Sequence, residues 1–78
     1  MKRIYHLREI GKRNEAGKVI PYEVFGAYLI TRPDEIQNGE DVEFGILQRA
    51  YEFETKIEAK TVRNDLFARD IITIVQKL

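Results

Sequence analysis

Residues 51–62, YEFETKIEAKTV, decide what kind of fold this chain makes. Tyr51, Phe53, Thr55, Ile57, Ala59 and Thr61 alternate without a miss against Glu52, Glu54, Lys56, Glu58 and Lys60. That is the period of a strand with one face buried. Extended upstream, the same region also sets Val42, Ile46, Ala50, Phe53, Ile57 and Thr61 at helical spacing. A helix of that length would run through Gly45, and the alternating positions are rich in aromatic and β-branched residues. The spacing therefore predicts a short helix or turn around residues 41–47 and then a long strand to about Val62. On that strand Glu52, Glu54 and Glu58 share a face with Lys56 and Lys60, a mixture suited to cross-strand pairing or solvent.

Working outward, residues 63–65 (Arg-Asn-Asp) read as a turn, and the β-branched run from Ile71 to Val75 favours a final strand. Upstream, Thr31-Arg32-Pro33-Asp34-Glu35 starts a single helical turn with Pro33 at its first position, and Asn38-Gly39 stops it. Residues 2–10 read as a first strand with Tyr5 and Leu7 on one face, ended by Gly11. Asn14-Glu15-Ala16-Gly17 supplies turn chemistry, Gly17 being free to take a positive φ. Residues 19–31 read as a second strand, apolar on both faces between Val24 and Ile30, with Gly26 marking a bulge or a close backbone approach. Phe25, Tyr28, Phe53 and Ile57 are the expected core. No internal repeat or low-complexity stretch is evident, so the 78 residues make a single domain, 1–78.

Composition narrows the function. Without cysteine there is no disulfide framework and no thiolate metal site. Without serine there is no serine nucleophile. The one histidine, His6, reads as a packing or surface residue. GKRNEAGK lacks the ending of a phosphate-binding loop. We therefore expect no enzyme, no catalytic residue, no metal and no cofactor. No apolar run approaches 18 residues and MKRIYHLRE has no signal-peptide core, so neither membrane spanning nor secretion by that route is expected.

Thirteen basic and thirteen acidic residues cancel, but unevenly along the chain. Residues 1–26 carry Lys2, Arg3, Arg8, Lys12, Arg13 and Lys18 against Glu9, Glu15 and Glu23; residues 27–62 carry four basic and eight acidic side chains. A basic end and an acidic middle suit head-to-tail pairing between copies, against the plainer reading of solvated surface charge.

The order of features resembles the head–tail joining, or head-closure, proteins of tailed bacteriophages. KRIYHLREIGKRNEAGKVIPYEVFGAYL is similar to that family's opening: a first strand, a charged excursion with an Asn14-Glu15-Ala16-Gly17 turn, then a strand with Phe25-Gly26-Ala27. Glu43-Phe44, Gln48 and YEFETKIEA resemble its middle segment, and RNDLFARDIITI the strand that follows. Family members continue into a final strand with a tyrosine; here the sequence ends at Leu78, which implies a sheet edge open to strand addition.

The fold class expected is mainly β: a small antiparallel β-barrel or sandwich with one short helix and a long loop after the first strand. The resemblance implies a virion protein, in the host cytoplasm during assembly. It would form a ring with itself, bridge portal or adaptor and tail proteins, and help retain packaged DNA through non-specific contacts. Lys12, Arg13, Asn14, Glu15 and Lys18 are then the loop contacting partner or DNA, and Asp34, Glu35, Glu40, Asp41 and Arg49 the subunit-interface candidates. Two other classes fit the same residues. One is a small phage-encoded inhibitor of a host protein, using the acidic stripe from Asp34 to Glu58; the other is a small nucleic-acid-binding β-barrel gripping phosphate with Lys12, Arg13 and Lys18 beside Tyr22 and Phe25.

Overall fold

A computed structural model describes residues 4–77. Its spine is the antiparallel pair of β1 (Tyr5–Arg13) and β5 (Ile71–Lys77), in register from Tyr5 opposite Lys77 to Lys12 opposite Ile71. On the other side of β1 lie two short strands. β2 (Val19–Pro21) closes a hairpin at the far end, and β3 (Tyr28–Leu29) meets Arg8. β4 (Phe44–Gly45) extends the sheet beyond β3. This is the small antiparallel, sheet-dominated fold expected, built as an open sheet of five strands that does not close into a barrel.

The deciding segment divides instead of running on. Phe53 is in extended backbone, bonded reciprocally to Tyr5 at 2.9 Å in both directions. Two residues later the chain enters α2 (Lys56–Phe67). The long strand to Val62 and the turn at residues 63–65 are therefore corrected: both lie on one helix. Thr55 caps it, its hydroxyl accepting the Glu58 N–H at 3.2 Å, in the Thr-x-x-Glu spacing that marks a helix start. Ala59, Val62 and Leu66 form its buried stripe. Ile57 falls off that stripe and stands 77% exposed, so it is not the core residue its alternation with Phe53 suggested. Glu52, Glu54 and Glu58 accordingly share no strand face. Upstream, the turn or helix expected around 41–47 is β4 followed by a 3-10 turn, Leu47–Arg49.

Two further boundaries move. β1 passes through Gly11 to Arg13, with a register shift between Glu9 and Gly11 that marks a bulge on β1. Gly11 is there for closeness: a Cβ would sit 2.7 Å from the Ile20 carbonyl oxygen on β2. The second strand is broken between Pro21 and Tyr28, because Gly26 and Ala27 bond Glu9 by single backbone hydrogen bonds outside a ladder. Val24 and Phe25 are consequently 80% and 45% exposed, and Phe25 leaves the expected core. The turn at 14–17, with Gly17 at φ +79°, forms as expected. So does α1 (Pro33–Gln37), which starts on Pro33 and ends at Asn38.

One core results. Tyr5, Leu7, Leu29, Ile36, Phe53, Ala59, Val62 and Leu66 pack together, so α1 and α2 cover one face of the sheet. Arg69 ties the end of α2 to α1 by donating to the Ile36 carbonyl at 2.7 Å.

Candidate functional site

At the hairpin, Asn14 is a turn former. Its Oδ1 accepts the Lys18 N–H at 2.9 Å, and backbone bonds to Lys18 and from Gly17 close the loop. Arg13 is committed inward: its guanidinium lies 4.3 Å from the Phe67 ring centroid and its Nε 3.6 Å from Asp70 Oδ1. Lys12, Glu15 and Lys18 remain solvent-exposed. Of the proposed contact loop, then, these three side chains are presented and two are spent on the fold.

The acidic candidates converge better. Glu35, Glu40, Asp41 and Arg49 line one open groove of about 680 Å³, together with Ile30, Thr31, Gly39 and Glu43. The Thr31 hydroxyl accepts the Glu43 N–H at 2.7 Å, which fixes the groove's floor. Asp34 stands apart, 3.6 Å from Arg32 in an exposed pair. Four carboxylates with one guanidinium make an anionic margin beside β4. Among the described residues, however, no group of His, Asp or Glu is placed to hold a metal ion. Nor is any helix long and apolar enough to cross a membrane.

Two groupings escaped the sequence. The first is a staple on the face of the sheet opposite the helices. Arg8 donates from Nε to the Gly26 carbonyl at 2.8 Å, and its guanidinium lies 5.0 Å from the Tyr28 ring and 5.6 Å from Phe25. His6, buried beside it, has Nδ1 3.2 Å from the Tyr51 carbonyl and packs edge-on against Tyr28. Nearby, desolvation and the Glu9 carboxylate push the Tyr22 phenol above its usual pKa. Arg8→Ala should cost about 1–3 kcal/mol and free the loop at residues 22–27. Arg8→Lys should recover only part, lacking the planar fork. Urea melts, with proteolysis at that loop as the local readout, check both.

The second grouping flanks β5. Arg63, Asn64 and Phe67 of α2, with Ile72 and Thr73 of β5, line a cleft of about 370 Å³. The 3.6-residue period puts Lys56 and Lys60 on the same helix flank as Arg63 and Phe67, while Glu58 and Thr61 face the Pro33 side. Read as a strand, this segment gives alternating signs; wound as a helix, it separates them. A cationic margin therefore borders β5 and an anionic one borders β4.

Fold and margins together define an open-edged antiparallel sheet module, layered by helices on one face. No protein-family model matches the chain, and comparison with curated proteins and with solved structures finds no similar one.

Proposed function

We propose that this chain is a structural, non-catalytic assembly subunit, of the kind that builds a head–tail joining ring in a tailed-phage virion. One observation carries the reading: among the described residues, β5 is paired on one side only, to β1. Its sequence, IITIVQK, offers a β-branched run with no charge before Lys77. Proteins that work as monomers blunt such an edge with charge, proline or a covering segment. Along Ile71–Gln76 this strand carries neither charge nor proline, and among the described residues no strand pairs its outer side. The residue pattern shared with the head-closure proteins supports the more particular assignment. In that setting the hairpin turn, with Lys12 and Lys18 exposed, reaches toward neighbouring portal, tail or DNA.

Sedimentation velocity over a wide concentration range, at low and moderate salt, tests it. Reversible growth to a discrete oligomer is expected. A compact monomer at every concentration would overturn the reading.

A further inference from the structure

We infer that copies join side by side, the β5 margin of one subunit adding to the β4 margin of the next in a continuous antiparallel sheet. This rests on the assembly reading above and specifies the surfaces.

Strand direction comes first. β5 and β3 each run antiparallel to β1, and β4 runs antiparallel to β3. From the β5 side to the β4 side the sheet thus alternates in direction and ends on opposite senses. A second copy placed alongside without being turned over sets its β5 antiparallel to the first copy's β4. The repeat propagates in one direction, the heterologous geometry that closes into rings.

Among the described residues, backbone groups point outward on both margins. Glu9 turns its N–H to the Ala27 carbonyl and its carbonyl to the Gly26 N–H, at 3.0 and 2.7 Å. Its partner across the ladder, Thr73, therefore carries its own N–H and C=O on the open side, and Val75 does the same two residues on. On the other margin the Glu43 carbonyl accepts the Ile30 N–H at 3.1 Å, so the next residue, Phe44, points its backbone groups outward. The Thr73 hydroxyl, in the cleft beside β5, is buried and has no hydrogen-bond partner among the described residues.

Charge and apolar surface select the occupant. The β5 side carries Lys56, Lys60, Arg63 and Lys77; the β4 side carries Glu35, Glu40, Asp41 and Glu43. Exposed Phe67 and Ile74 lie on the first margin, exposed Ile46 and Leu47 on the second. The two margins of one chain are thus complementary to each other. Two-fold pairing of β5 with β5 would instead set Lys60 and Arg63 against their own copies, which disfavours it.

Charge reversal tests the contact on the full chain. Glu40→Lys/Asp41→Lys leaves the β4 margin net basic, like the β5 margin it must meet; Lys60→Glu/Arg63→Glu cancels the net positive charge of the β5 margin. Each variant alone should raise the concentration needed for assembly by at least roughly tenfold. An equimolar mixture of the two, which sets the intact basic margin of one against the intact acidic margin of the other, should assemble at a lower concentration than either alone. Because the mixture restores assembly only from folded chains, it separates loss of contact from loss of fold. Wild-type assembly that survives both reversals, or a mixture that stays dissociated, would overturn this contact and leave the assembly reading standing. A Lys60→Glu/Arg63→Glu chain that dimerises more tightly than wild type would overturn it in favour of β5–β5 pairing. A wild-type chain that never assembles would overturn both.

Discussion

Phe53→Ala should remove a large share of the chain's stability at 25 °C. Phe53 is 1% exposed, the largest of the fully buried side chains, and sits where sheet and helix layers meet. Its ring packs edge-to-face on Tyr51 at 4.8 Å between centroids, and its backbone holds the start of β1 through both bonds to Tyr5. Truncating such a phenylalanine costs about 3–5 kcal/mol from lost transfer energy and the cavity left behind. A domain of this length has roughly 4–12 kcal/mol in total, and small domains fall toward the lower end. Ile57→Ala is the matched comparison: four residues on in the same alternation, yet 77% exposed, it should change stability by no more than about 0.5 kcal/mol. Urea unfolding of the two variants, followed by circular dichroism, checks the difference. Equal, large losses would put both side chains back on one strand face.

That pair of residues also shows what the sequence could and could not disclose. The outer frame was legible because its signals were local and agreed with one another. β-Branched density marked β5, Asn14 and Gly17 closed the hairpin, and Pro33 with Asn38 bounded α1. Residues 51–62 failed because two periods overlap there and the true boundary falls inside the window. Tyr51 and Phe53 do alternate in extended chain; from Thr55 onward the match to period two continues by coincidence. The helical pattern was visible but counted from the wrong origin, through Gly45, when it begins at the Thr55 cap and takes its phase from Ala59, Val62 and Leu66. The Thr-x-x-Glu cap was the local signal that could have separated the two.

The candidate site divides along the same line. Glu35, Glu40, Asp41 and Arg49 were legible as a group because a short acidic segment with one nearby arginine stays together in almost any compact fold. The cationic flank of Lys56, Lys60 and Arg63, with Phe67 beside it, exists only once the segment is wound at 3.6 residues per turn. Arg8 among Phe25, Gly26 and Tyr28 is a tertiary contact across 17 to 20 residues, for which no local pattern stands in.

Lys60→Pro should be nearly as damaging as Phe53→Ala, although Lys60 is exposed and makes no side-chain hydrogen bond or ion pair among those described. Lys60 is the fifth residue of α2, so its N–H is the donor to the carbonyl of Lys56. Proline removes that donor and drives its ring into the same carbonyl, at a cost of about 3 kcal/mol or more. The loss would spread, because the turn it breaks holds Ala59 and Val62 against the core. Lys60→Ala keeps the helix and should leave stability within about 0.5 kcal/mol, alanine being the better helix former. At an exposed position on an edge strand a proline is far better tolerated, so a mild effect would contradict the helix. The pair also separates fold from contact. Lys60→Ala should weaken assembly while the monomer stays folded, whereas Lys60→Pro should lower the urea midpoint even at concentrations where no assembly forms. The cationic margin that joins one subunit to the next is a property of the wound helix, and it cannot outlast the turn that creates it.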